Sequence, residues 1–130
     1  MKRRKICIIT GSRAEWGLFY PLAREIRKNK KGFHLQIIVT GMHLSPEYGS
    51  TYKEIESDGF KITRKVDMLV SGDTEESVSK SIGLGIIGLT DALREVQPEL
   101  VILLGDRFET FSAAIASYML KIPIVHIHGG

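Results

Sequence analysis

The sequence predicts an α/β domain: a parallel sheet of about five strands covered by helices on both faces, in a Rossmann-like three-layer arrangement. Two observations predict it. Short β-branched runs alternate with helical stretches in the order βαβαβαβαβ, which right-handed crossovers convert into a parallel sheet. One run, Leu100 to Leu104 (LVILL), is apolar at every position, as a central strand covered on both sides must be.

The elements follow in order. Lys5 to Thr10 (KICIIT) is the first strand and stops at Gly11. From about Glu15 to Asn29, Leu18, Leu22 and Ile26 recur at helical spacing, and Pro21 suggests that the regular helix starts late. His34 to Thr40 (HLQIIVT) is the second strand, and Gly41 to Ser50 is a loop. Thr51 to Asp58 forms a short helix closed by Gly59, and Phe60 to Val66 a weaker third strand near an edge. Thr74 is a plausible N-cap for a long helix over Ser77 to Val96, with Pro98 beyond its end. The fourth strand is LVILL. A helix over 108–120 follows, and then a last strand, Ile124 to Ile127.

Composition narrows the function classes. The 130 residues are 43% apolar and 25% charged, which excludes a disordered or fibrous chain. Eighteen Lys and Arg against fifteen Asp and Glu give +3, but four of the positives are Lys2, Arg3, Arg4 and Lys5. The basic excess belongs to the extreme N-terminus, so a nucleic-acid-binding face is not expected. A single cysteine, Cys7, excludes an internal disulfide framework and a cysteine-based zinc site, and its apolar surroundings predict a buried, inert thiol. The apolar run after the basic start ends at Thr10, too soon for a signal peptide, and no stretch approaches a membrane span. The expectation is a soluble cytoplasmic protein with no membrane partner.

In an open parallel sheet, ligands bind beyond the carboxyl ends of the strands. The segments leaving those ends are rich in charge, His and Gly: Gly11 to Glu15, Gly41 to Ser45, Asp67 to Thr74, Gly105 to Glu109 and His126 to Gly130. The opposite connections read as ordinary turns. Arg13 and Arg107 each follow a strand and suit a phosphate beside helix N–H groups, or else are solvated loop arginines. Asp106 is the candidate catalytic carboxylate, with an N-cap role for the helix near Phe108 as the plainer reading. Glu109 reads equally as a first-turn partner of the helix dipole. His126, inside the last strand, is expected to be a satisfied core imidazole. His128 leads into two glycines that would allow close approach to a ligand. A His/Asp metal site has no helical spacing to support it, and neither a metal nor a cofactor is expected.

Gly83-Leu84-Gly85-Ile86-Ile87-Gly88 matches G-x-G-x-x-G to the letter, but the polar segment before it is not a strand. The glycines instead fit a helix lying close to the sheet or to another helix.

Taken together, Thr10 to Leu18 (TGSRAEWGL), Thr40 to Gly49 (TGMHLSPEYG), Lys80 to Gly83 (KSIG), Gly105 to Glu109 (GDRFE) and His126 to Gly130 (HIHGG) resemble the hydrolysing UDP-N-acetylglucosamine 2-epimerases, enzymes that open sialic-acid and related nonulosonic-acid pathways. The resemblance runs the length of the chain. It implies a glycosyltransferase-B-like enzyme that binds its UDP-sugar between two Rossmann-like lobes. Residues 1–130 would be the N-terminal lobe, ending just after its fifth strand, with the nucleotide-binding second lobe absent. The implied reaction converts UDP-GlcNAc and water to N-acetylmannosamine and UDP, and the isolated chain would be inactive. The resemblance also implies Asp106 as the catalytic carboxylate and Arg13 and Arg107 as nucleotide contacts. It further implies Glu15, His43 and Glu109 on the substrate side, and a homo-oligomer in the complete enzyme. Many relatives carry a catalytic Glu where this sequence has His128. That departure opens an alternative substrate, a UDP-linked diacetamido-trideoxy sugar, with His128 as acid or base. A non-hydrolysing epimerase lobe and a non-catalytic flavodoxin-like binding module are the other readings.

Overall fold

The computed structural model describes residues 2–128. The elements are β1 (Arg4–Thr10), α1 (Arg13–Lys28), β2 (Phe33–Thr40), 3₁₀ turns at Gly41–Leu44 and Pro46–Tyr48, α2 (Tyr52–Ser57), β3 (Arg64–Val66), α3 (Glu75–Val96), β4 (Leu100–Leu104), α4 (Phe108–Met119) and β5 (Ile124–Ile127). All five strands are parallel, in the order β3-β2-β1-β4-β5. The chain steps outward from β1 to β3, then crosses back to β4. The strand order therefore reverses between β1 and β4, and that is where such a sheet opens a crevice for ligand.

The period-2 alternation of a strand assigns side chains to two cores. Ile6 and Ile8 of β1, Ile37 and Val39 of β2, and Ile102 and Leu104 of β4 pack under α1 and α2 with Trp16, Phe19, Ile55 and Phe60. Cys7, Ile9, Ile38, Val101 and Leu103 point the other way, under α3 and α4 with Leu89, Leu93, Ala113 and Ala116. Cys7 is buried as expected, and burial pushes its thiol up to about 12, so it is unreactive near neutrality.

Two expectations about helices need correction. Helix α1 does not start late: it begins at Arg13, with Ser12 as N-cap accepting from the Glu15 amide at 3.3 Å, and Pro21 lies inside it. Pro21 and Gly17, whose carbonyl loses its i+4 donor, are both exposed, so water can take the freed acceptor. Asp106 does not cap α4; the N-cap position is Arg107, without a side-chain cap bond. The Thr74 cap on α3 is present, its hydroxyl accepting from the Ser77 amide at 3.1 Å.

The three glycines of the false dinucleotide motif lie in mid-α3, where two of them, Gly85 and Gly88, serve packing. A Cβ on Gly88 would stand 2.6 Å from Val66 Cγ1 of β3. One on Gly85 would stand 2.5 Å from Met68 Cε and 2.9 Å from Ser112 Oγ of α4. Gly83 faces open space.

His126 also departs from expectation. β5 is an edge strand, and the imidazole is exposed rather than in a core; its Nε2 lies 2.6 Å from the Gly105 carbonyl oxygen. Among the described residues no helix is long and apolar enough to cross a membrane.

The glycine environments predict opposite signs within one motif. Gly83→Ala should stabilise the chain by about 0.5–1 kcal/mol, the helix-propensity gain. Gly88→Ala should cost roughly 1–2 kcal/mol, because overpacking against a stiff valine outweighs that gain. Urea unfolding of the two variants checks both; equal effects would refute the packing role.

Candidate functional site

The loops after β1, β2 and β4 meet around one side chain, Glu109. It lies in the first turn of α4 and is only 1% exposed. Two residues make room for it. A Cβ on Gly11 would stand 2.9 Å from Glu109 Cβ and Oε2, and one on Gly41 would stand 2.7 Å from its Cγ and Oε2. Gly41 also has φ +63°, the left-handed region that glycine enters without strain, and from there the chain turns into the first 3₁₀ segment.

Glu15 is the second buried acid. Its Oε1 accepts from the Gly11 amide at 2.9 Å, close to a capping box at the start of α1. Its Oε2 has no hydrogen-bond partner, and neither has Glu109 Oε1. Arg107 faces both acids: its Nε is 3.4 Å from Glu109 Oε2 and 4.0 Å from Glu15 Oε2. Burial raises both carboxyls above the usual range, and Glu15 is raised further by the charge of Glu109; Arg107 pulls each back down. The Arg107 side chain is 42% exposed, and its Nη2 lies 3.0 Å from Met42 Sδ.

His43 lies deeper. It is fully buried, with Nε2 2.9 Å from Thr10 Oγ1 and Nδ1 3.0 Å from Thr51 Oγ1. Burial pushes its imidazole down to about 4, so it is neutral near pH 7. It ties the end of β1 to the start of α2 and has no surface in this structure with which to touch a ligand.

The remaining candidates are exposed. Asp106 has no hydrogen bond or ion pair within the protein among the described residues. His128 follows β5 at φ +55°, exposed, on the strand next to that of Asp106, since Leu104 and Ile127 are partners in the ladder. The two glycines after it lie outside the described residues. Arg13 stands apart from the acid pair; its Nε pairs with Glu54 of α2 at 3.1 Å. Beside Arg107 a cleft of about 340 Å³ opens, lined by Met42, Tyr48, Leu69, Val78 and Phe108, among others.

With this geometry in view, comparison with known proteins decides the family. The family model described as UDP-N-acetylglucosamine 2-epimerase matches residues 24–130. The chain belongs to this family. Over all 130 residues it is 48% identical to the hydrolysing GDP/UDP-N,N'-diacetylbacillosamine 2-epimerase of Campylobacter jejuni, covering 33% of that protein. It is 40% identical over 127 residues to the hydrolysing UDP-N,N'-diacetylbacillosamine 2-epimerase of Legionella pneumophila, again covering 33%. The chain thus spans about a third of the length of the curated relatives it matches. Its fold is that of solved 2-epimerases. A UDP-N-acetylglucosamine 2-epimerase from Listeria monocytogenes superposes with a TM-score of 0.84 at 19% identity, over 100% of this chain and 32% of that one. The Neisseria meningitidis UDP-GlcNAc 2-epimerase bound to UDP-GlcNAc gives 0.80 at 24% identity, over 97% and 32%.

Within this family member, the cradle of Gly11 and Gly41 and the partners Thr10 and Thr51 of His43 were not singled out in the sequence. A signal was present, since the first two strands both end in Thr-Gly.

The depressed His43 sets a pH dependence. Its folded value lies below its unfolded one, so its contribution is complete above about 6.5 and is lost as pH falls toward 4. The raised carboxyls of Glu15 and Glu109 act oppositely, losing stability as pH rises through their folded values. A difference between wild type and His43→Gln isolates the histidine. The stability advantage of wild type should shrink by about 1.4 kcal/mol per pH unit below 6.5, measured by urea unfolding. A difference flat with pH would mean that His43 titrates normally in the fold.

Proposed function

We propose that this chain is the N-terminal lobe of a hydrolysing nucleotide-sugar 2-epimerase acting on a UDP-linked diacetamido-trideoxy sugar of the N,N'-diacetylbacillosamine type. The observation that carries the reading is the 48% identity to the Campylobacter enzyme along all 130 residues. In the proposed reaction the C2–H proton leaves to a base and the C1–O bond to UDP breaks, giving a glycal-type intermediate and UDP. Water then adds at C1 and a proton returns to C2 on the opposite face. The products are UDP and the free 2-epimeric sugar.

The residues suit these demands. Asp106 is an exposed carboxylate at the end of β4, with no partner within the protein among the described residues to compete with substrate. His128, leaving the neighbouring strand, supplies a second proton-transfer group in place of the glutamate of many relatives. Arg107 and Arg13 stabilise charge on the departing diphosphate from the ends of the adjacent strands β4 and β1. The cleft beside Arg107 combines apolar walls with the hydroxyls of Ser45, Ser71 and Ser81, a lining that suits acetamido groups. The uridine would be held by a second lobe beyond this chain, and no cofactor is needed. UDP-GlcNAc is the second reading, supported by 33% identity to the UDP-N-acetylglucosamine 2-epimerase of Neisseria meningitidis. Action in the cytoplasm belongs to the same proposal.

The complete protein, incubated in deuterated water with each UDP-sugar and followed by NMR, tests this. The expected products are UDP and the free 2-epimer carrying deuterium at C2, formed faster from the diacetamido sugar. Faster turnover of UDP-GlcNAc would reverse the substrate assignment, and release of an epimerised UDP-sugar would place the enzyme in the non-hydrolysing branch. Asp106→Asn should lower kcat about 10²- to 10⁴-fold. Exposed Leu84, Ile87, Phe111, Tyr118 and Met119 on α3 and α4 support assembly into a homo-oligomer. Sedimentation of the complete protein should give a dimer or larger; a monomer at all concentrations would remove that part.

A further inference from the structure

Glu109 is built into the fold at greater cost than a helix-dipole partner requires. A dipole partner needs only an acid in the first turn, and an exposed one serves. Glu109 is instead buried, with one oxygen unpartnered, and both Gly11 and Gly41 must lack a Cβ for it to fit. The only cation facing it among the described residues is Arg107.

We propose that Glu109 is a positioning residue: seated between Gly11 and Gly41 and backed by Glu15, it holds Arg107 so that the outer edge of the guanidinium meets the diphosphate of the substrate. The contact to Glu109 is made through Nε, the inner edge of the guanidinium. Nη2 rests on Met42 Sδ, a weak acceptor that an anionic oxygen would displace, and Nη1 has no protein partner among the described residues. An arginine fixed by a buried carboxylate keeps its remaining N–H groups aimed, so less rotamer freedom is lost when an anion binds. The same geometry assigns Glu15 its part. Its Oε1 is tied to the Gly11 amide, which leaves Oε2 facing Arg107 from the side of β1.

The inference rests on the proposed nucleotide-sugar chemistry, and the test separates the two. Wild-type complete enzyme is first assayed for turnover and titrated with UDP by calorimetry. UDP binding without 2-epimerase turnover counts against the proposed function and leaves this inference readable; absence of UDP binding overturns both. Glu109→Gln, Arg107→Ala and the double variant then form a cycle read in UDP affinity and in kcat and KM. Glu109→Gln should weaken UDP binding about tenfold, the worth of one hydrogen bond to a charged group. In the Arg107→Ala background the same change should have almost no effect, because the group it acts through is gone. The melting temperature of Glu109→Gln should not fall, since an amide of the same shape removes a buried charge. Equal losses in both backgrounds would make Glu109 a structural residue only. No loss on Glu109→Gln, or none on Arg107→Ala, would overturn the proposal. If Glu109→Gln folds poorly, Glu109→Asp replaces it. That variant keeps the charge in the same cradle, shortens its reach by one methylene, and carries the same expectation.

Discussion

A carboxylate can be buried where three loops converge only if the backbone around it gives up side chains. Glu109 imposes that condition on the whole carboxyl edge of the sheet. Gly11 follows β1, Gly41 follows β2, and Glu109 itself follows β4, so one side chain packs against the ends of three neighbouring strands across the switch point. The left-handed turn at Gly41 then starts the 3₁₀ segment. That segment delivers Met42 to Arg107 and His43 back to Thr10. The neutral, buried imidazole closes the ring by joining β1 to α2. The proposed substrate-facing groups thus stand on a framework held by a buried acid and a buried histidine.

Most of the fold was legible because period and punctuation agree along the chain. Apolar strand runs alternate with helical stretches, Thr74 caps α3, and the helical setting of Gly83 to Gly88 exposed the false dinucleotide motif. What escaped were features decided by solvent or by distant partners. Pro21 sits inside α1 because the carbonyl it orphans faces water, which propensity cannot register. His126 is exposed, and its Nε2 lies 2.6 Å from the Gly105 carbonyl oxygen, a partner that the strand's own sequence does not announce. Asp106 looked like a cap because aspartate commonly is one; the helix begins one residue later than a cap there requires. At the site, the loops were legible as a group from their charge and glycine content. The depth of each residue was not. Glu15, His43 and Glu109 were expected on the substrate side, and all three are buried.

Arg13 and Arg107 looked alike in the sequence, each following a strand and preceding a helix. The structure gives them different mechanics. Arg13 is held by Glu54 in a surface ion pair, with the arginine largely in water and the glutamate about half exposed, a contact worth about 0–1 kcal/mol. It can be exchanged for a ligand at little cost. Arg107 is held by a buried acid that has no other cation to turn to among the described residues. In the proposed site the first rearranges around the nucleotide, and the second is aimed before the nucleotide arrives. In the proposed reaction a diphosphate is gripped and then released, and both kinds of arginine have a use there, since pre-aimed charge favours the departing group and an exchangeable one allows exit.

The same contrast bears on the proton chemistry. Epimerisation at C2 removes a proton from one face and returns one to the other, so the two transfer groups must stand at different places around the sugar ring. Asp106 and His128 leave neighbouring parallel strands whose spacing is about 4.8 Å. The proposed reaction assigns one of them to each face of the sugar ring. When deprotonated, the imidazole is neutral, whereas a carboxylate at that position would add a second negative charge beside the diphosphate. With histidine there, the proposed reaction leaves only one anionic proton-transfer group, Asp106, near the departing UDP. In the proposed arrangement the arginine that offsets that charge, Arg107, follows Asp106 in the chain and is paired with the buried Glu109.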